Sequence, residues 1–195
     1  MTSKEKILNS IKKNNLVQDV QLPSYKDFGV KYENKLETFF TMLESVGGKA
    51  LLTSKEDLDK TIKEIYPNEK VIASNVEFCT LGNFEANSTK NARDLQDIDL
   101  AIVKGNFAVA ENGAVWMKNE DNRHRALYFI AQNIVIVIDE KEIVNNMHEA
   151  YEKLSFDKTG FGVFISGPSK TADIEQSLVI GAHGPKSGYV IFIKS

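Results

Sequence analysis

The segment Ile134-Val-Ile-Val-Ile138 restricts the fold of this chain more than any other. A strand with one solvated face alternates apolar and polar residues, so five consecutive β-branched residues describe a strand covered on both faces, as in the middle of a parallel sheet. Parallel neighbours need long crossovers, usually helices, and these run right-handed. The flanking sequence supplies them. Tyr32, Leu36, Phe39, Phe40, Leu43 and Val46 keep a period near 3.6 and stop at Gly47-Gly48, where a left-handed helix cap is expected. Lys49–Thr53 reads as a short strand, and Ser54-Lys-Glu-Asp57 opens a helix whose buried face is Leu58, Ile62 and Ile65. Val71–Ala73 and Leu100–Val103 read as strands, and Phe107–Met117 as two short strands around the turn dipeptide Asn112-Gly113.

Beyond a helical or irregular piece at 122–132 and the central run, the alternation continues to the end. Ile143, Val144, Met147, Ala150, Tyr151 and Leu154 form a helical stripe, Phe161–Ile165 a strand, Asp173–Ile180 a helix and Tyr189–Ile193 a last strand. The expected fold class is α/β, a mostly parallel sheet flanked by helices, over residues 32–195, after a short amphipathic helix and arm at 1–31. In such folds ligands bind at the carboxyl ends of the strands, so function is expected in the strand-to-helix loops.

Charge and cysteine content narrow the function. With 24 basic and 27 acidic residues the net charge is −3, against nucleic-acid binding, which asks for a basic excess. Cys79 is the single cysteine, so the chain alone forms no disulfide and no all-cysteine zinc or iron–sulfur site, and a reducing compartment fits best. His124, His148 and His183 show no metal-ligand spacing, so no metal site is expected. The charged amino-terminal segment is unlike a signal peptide, and no apolar run approaches the roughly 20 residues of a membrane span. A cytoplasmic protein without a membrane span is expected.

Three loops carry candidate chemistry. In Ser166-Gly-Pro-Ser-Lys-Thr-Ala-Asp-Ile-Glu175, Gly167 permits a turn, Pro168 fixes one φ, and Ser169, Lys170 and Thr171 offer donors at the expected start of a helix, a geometry that cradles an anion. Asp173 reads either as the cap of that helix alone or as a cap with a role in the site. In Gly181-Ala-His-Gly-Pro-Lys-Ser-Gly188, His183 is either a proton-transfer group beside Gly184 and Pro185 or a solvated loop residue. In Ala108-Val-Ala-Glu-Asn-Gly-Ala-Val115, Glu111 is either a partly buried carboxylate or an exposed hairpin-end residue. Arg125 is placed to clamp a carboxylate or to lie on the surface.

Taken together, Ser166–Glu175, Val179-Ile-Gly-Ala-His-Gly-Pro185, Ala110-Glu-Asn-Gly113 and Arg125 resemble the LUD-domain family, and within it the lactate-utilization C group, over roughly residues 30–195. The resemblance implies a fold of the sugar-phosphate isomerase/CoA-transferase type. It also implies a subunit, catalytic or accessory, of the iron–sulfur system that oxidises L-lactate to pyruvate, with clusters on cysteine-rich and iron–sulfur partner subunits and no cofactor on this chain. A small carboxylate ligand is expected, with Glu111, Asp173 and His183 as candidate catalytic residues. Candidate ligand-binding residues are Asn112, Gly113, Arg125, Gly167, Pro168, Ser169, Lys170, Thr171, Ala172, Glu175, Gly184 and Pro185. This chain has Glu111-Asn112-Gly113-Ala114 where the family more usually has Glu-Thr-Gly-Thr, and so lacks two hydroxyls. An alternative reading is a free-standing acyl-CoA or sugar-phosphate enzyme with Glu111 as nucleophile.

Overall fold

The computed structural model describes residues 2–14, 28–118, 122–154, 160–172 and 178–194. Its centre is a five-stranded sheet whose strands all run parallel. These strands are β1 (Lys49–Thr53), β2 (Ile72–Ser74), β3 (Leu100–Lys104), β6 (Asn133–Asp139) and β11 (Ser187–Ile193), in the order β1-β11-β6-β3-β2. The doubly covered run is therefore the middle strand, as its sequence requires. Register places Asn133 beside both Ser187 and Leu100, which aligns the amino ends of three strands.

Each side chain of the run goes alternately to one of two cores. Ile134, Ile136 and Ile138 join Ala101, Val103, Val190 and Phe192 on the face covered by Phe39 and Leu43 of α2 (Lys35–Ser45). Val135 and Val137 join Leu100, Ile102, Ile191 and Ile193 on the other face, under Leu58 and Ile62 of α3 (Leu58–Ile65). Helix α2 ends as expected. Gly47 has φ +81°, its N–H donates to Glu44 and the Gly48 N–H donates to Leu43, the paired bonds of a Schellman cap.

A second, mixed sheet packs beside α2 on the first face. It consists of β4 (Phe107–Val109), β5 (Ala114–Lys118), β7 (Ile143–Val144) and β8 (Gly162–Ile165), in the order β7-β4-β5-β8. Ala108, Val115 and Met117 face the main core, while Phe107, Val109 and Trp116 face α5 (Met147–Lys153). Two expectations change here. Ile143 and Val144 begin no helix, because β4 offers a free edge and pairs with them in parallel. Phe161–Ile165 likewise adds no parallel strand: Gly162–Ile165 runs antiparallel to β5.

The largest correction concerns the expected helix at Asp173–Ile180. Residues 173–177 lie outside the described residues, and Leu178–Ile180 form a strand, β10, antiparallel to β9 (Lys170–Ala172). Thr171, Val179 and Ile180 are β-branched, and the positive-φ glycines Gly167 and Gly181 turn the chain on either side of this hairpin. Ser169–Thr171 therefore do not form a helix N-terminus, and the expected anion cradle on one loses its basis. Elsewhere, α1 (Ser3–Asn14) buries none of its residues, and α4 (Leu127–Ile130) is the single helical turn in the irregular stretch before β6.

Candidate functional site: a loop junction at the amino edge of the sheet

The Gly-Pro-Ser and His-Gly-Pro loops meet at the amino edge of the parallel sheet and not at its carboxyl edge, and the Asn112 turn of the third loop touches the first through its backbone. The chain leaves β8 at Ser166, whose Oγ donates to the Asn112 carbonyl at 2.9 Å. It then turns at Gly167, where φ is +71°. A Cβ at Gly167 would stand 3.0 Å from the Val46 carbonyl oxygen and 3.3 Å from the Gly48 nitrogen, so a bare backbone is required where the chain passes the end of α2. Beyond the turn, the Ser169 N–H donates to the Pro185 carbonyl and the Gly181 N–H to the Ser169 carbonyl, each at 2.9 Å. Through both backbone groups of Ser169 the Gly-Pro-Ser segment is thus tied to Gly181 and Pro185, the two sides of the loop that leads into β11.

Side chains at this junction are mixed in character. Pro168 and Lys170 lie against Gly47, with Lys170 Nζ 3.9 Å from where a Gly47 Cβ would stand. That position puts the ammonium over the carboxyl end of α2, where a cation is favourable. Pro185 is buried, Gly184 half-buried and His183 exposed on a cleft of about 450 Å³ that Phe129, Ile130, Gln132 and Gly181 also line. Thr171 and Ala172 are in β9, and Asp173 and Glu175 lie outside the described residues.

Glu111 and Arg125 point to other places. The hairpin forms as read, with a single 3-10 turn at Ala110–Asn112 and Gly113 at φ +63°. Glu111 Oε1 accepts the Met147 N–H at 2.6 Å, at the start of α5, while the Glu111 N–H donates to the Asn145 carbonyl at 3.0 Å. The carboxylate is half-buried and accepts at the start of α5, where a negative group is favourable. Arg125 stacks over Phe161 at 5.0 Å, just before β8, at the opposite end of that strand from Ser166. A four-residue strand spans roughly 13 Å, so this guanidinium stands well away from the junction.

Around Glu111, a pair of asparagines fastens the segment that precedes α2. Asn146 is 1% exposed; its side chain accepts the Glu149 N–H at 3.1 Å as the α5 cap and donates to the Val30 carbonyl at 3.1 Å. Asn145 accepts the Tyr32 N–H at 2.9 Å and donates to Glu149. Burial raises the Glu149 pKa, but the Asn145 backbone and side-chain donors, together with the charges of Lys31 and Lys35, outweigh it and hold the carboxyl below its ordinary value. Asn146→Ala removes the cap and strands a carbonyl, and is expected to cost about 1–3 kcal/mol. Urea unfolding checks this, together with faster proteolysis at 28–32.

A polar chain runs along the same amino edge. Ser187 Oγ donates to Asn133 Oδ1 at 2.7 Å, and Asn133 Nδ2 donates to Glu69 at 3.0 Å. The Tyr66 hydroxyl lies 2.5 Å from Ser187 Oγ, and burial pushes its pKa up to about 12, so it is a neutral phenol at physiological pH.

The carboxyl edge holds residues that the motifs did not single out. Lys104, Val137–Asp139 and Ile193, at the ends of β3, β6 and β11, open onto a cavity of about 450 Å³ walled by Lys55 and Val76–Phe78. A signal existed in the sequence: Lys104 and Asp139 directly follow the apolar runs read as parallel strands. Among the described residues no group of three or more His, Cys, Asp or Glu is placed to hold a metal, and no helix is long and apolar enough to cross a membrane.

A parallel α/β sheet with its Gly-Pro-Ser and His-Gly-Pro loops sewn together at the amino edge defines the class of protein. The chain belongs to the LUD-domain family, whose profile matches residues 80–193. It is similar to lactate utilization protein C of Bacillus pumilus (strain SAFR-032), 31% identical over 120 residues, 58% of this chain and 50% of the relative. It is also similar to lactate utilization protein C of Exiguobacterium sp. (strain ATCC BAA-1283 / AT1b), 27% identical over 183 residues, 84% of this chain and 80% of that one. The chain thus spans half the length of the first of these relatives. A crystal structure of a DUF162 family protein from Deinococcus radiodurans shares the fold, with TM-score 0.63 and 17% identity over 83% of this chain and 96% of that one.

Proposed function

We propose that this chain works in lactate utilization, as an accessory subunit of an iron–sulfur assembly that oxidises L-lactate to pyruvate. The observation that carries the reading is the similarity to proteins named lactate utilization protein C, in one case over 80% of the relative's length. The cysteine count supports the accessory role. A cluster is typically held by four cysteine thiolates, and the one thiol here, Cys79, is pushed above its ordinary pKa by burial, which disfavours the thiolate that binds iron. The clusters then belong to cysteine-rich and iron–sulfur partner subunits, with a small carboxylate as ligand and a cytoplasmic site of action.

Deletion of the gene tests the assignment. Growth on L-lactate as sole carbon source is expected to stop, growth on pyruvate to continue, and a plasmid copy to restore the first. Wild-type growth of the deletion strain on L-lactate would remove the assignment.

A further inference from the structure

Helix α1 stands apart from every core of the fold. Its three aliphatic side chains face solvent, with Ile7 60%, Leu8 47% and Ile11 61% exposed, and none of its residues is buried. At the helical repeat these three fall within an arc of about 100°, so they form one apolar stripe. A helix this short ordinarily draws its stability from packing such a stripe. Here the ends are stabilised locally. The Thr2 N–H donates to Glu5 Oε2 at 2.7 Å and the Glu5 N–H to Thr2 Oγ1 at 3.3 Å, a capping box. Lys12 and Lys13 lie in the last turn, where cations offset the helix dipole. The helix is thus set by its own sequence, and its apolar stripe is left uncovered.

Charge selects the occupant of that stripe. Ser3–Asn14 holds four lysines and one glutamate, net +3, whereas the remaining residues hold 20 basic and 26 acidic side chains, net −6. None of the four lysines has a carboxylate oxygen within 4.0 Å among the described residues, where the ion pair is Lys153–Glu142. Two copies of α1 packed stripe to stripe would set like charges against each other. An anionic lipid surface meets both properties at once: it takes an apolar stripe without a matching groove, and it attracts the lysines. Lys12 borders the stripe, and Lys4 lies in it one turn before Ile7 and Leu8, so both reach the headgroup level along their aliphatic stems. Lys6 and Lys13 are on the far side of the helix, yet only a helix diameter of about 10–12 Å from the surface, close to the Debye length of roughly 8–10 Å.

We propose that α1 is an interfacial helix that lies on an anionic lipid surface, with Ile7, Leu8 and Ile11 at the boundary of headgroups and acyl chains and its lysines among the lipid phosphates. Contact is reversible. Three aliphatic side chains and a net charge of +3 give a binding constant of about 10³–10⁴ M⁻¹, in the range of a single acyl anchor and far from the permanent insertion of a spanning helix. The inference does not depend on the lactate assignment.

Sedimentation of the full chain with vesicles of equimolar phosphatidylcholine and phosphatidylglycerol, against vesicles of phosphatidylcholine alone, tests it. Binding to the anionic vesicles is expected to be about tenfold tighter than to the neutral ones, and to weaken about tenfold when salt is raised to about 0.5 M. The double variant Ile7→Asn, Ile11→Asn keeps every lysine and should weaken binding by about tenfold, and Lys12→Gln, Lys13→Gln by about threefold or more. Because α1 buries none of its residues, both variants should keep the urea midpoint of the parent, so that lost binding is not lost folding. No binding to the anionic vesicles, equal binding to the neutral ones, undiminished binding by the isoleucine variant, or a parent dimer that the isoleucine variant abolishes would each overturn the proposal.

Discussion

Replacing Gly113 with valine is expected to lower the stability of this protein by about 3–5 kcal/mol, a large fraction of the ~5–15 kcal/mol that holds a domain together. Two penalties add. Gly113 has φ +63°, a conformation that β-branched residues rarely adopt, and its Cβ would stand 2.7 Å from the Leu43 nitrogen and 2.8 Å from the Leu43 Cα. Those atoms are helix backbone, which cannot step aside as a flexible side chain would. Gly113→Ala should fall between glycine and valine, carrying the conformational penalty with less crowding. Urea midpoints of the three proteins measure the series, and a valine variant within about 0.5 kcal/mol of the parent would show that α2 does not press on this turn. The Glu111-Asn112-Gly113 string is therefore explained, at its glycine, by packing against α2.

Phe192→Ala is expected to cost about 3–5 kcal/mol, the range for deleting a buried aromatic ring from a core. Phe192 is 0% exposed on β11 and meets Phe39 edge-on at 5.1 Å and Phe40 at 6.0 Å, so one ring joins the parallel sheet to both aromatic residues of α2. Phe192→Leu keeps most of the volume and should lose less than half as much. Val179→Ala is the control. That side chain is exposed on β10, and the change should stay within about 0.5 kcal/mol. An alanine variant at 192 no worse than the control would mean that the core relaxes around the missing ring.

Where side-chain periodicity reflects burial, the sequence is a good guide to this fold. Ile134–Ile138 had to be covered on two faces, and the structure covers it with α2 and the second sheet on one side and α3 on the other. Tyr32–Val46 with Gly47-Gly48 marks α2 and its Schellman cap. Periodicity misleads where strand and helix compete over short stretches. Ile143 and Val144 satisfy a helical stripe with Met147 and Ala150, but β4 presents an open edge only in the folded sheet. The segment after Pro168 looks like a helix start because small polar residues suit both caps and tight turns.

The candidate site was legible in part for the same reason. The two strongest motifs do meet, through Ser169, Gly181 and Pro185, because close backbone packing demands glycine and proline at the positions the sequence displays. Which edge of the sheet they occupy was not legible, since it depends on β8 joining the second sheet and not the first. The role of Glu111 at the start of α5 was equally hidden: Met147 is 36 residues away along the chain, and no local pattern announces that contact.

On the proposed function, this chain is required for L-lactate oxidation and does not itself carry the electrons. The most direct test uses extracts of a deletion strain grown with lactate present, assayed for L-lactate-dependent reduction of an artificial electron acceptor before and after addition of the purified, iron-free chain. No activity is expected in the deletion extract, and the iron-free protein alone is expected to restore it. Undiminished acceptor reduction in the deletion extract, or restoration only by a preparation of this chain carrying its own iron, would contradict it.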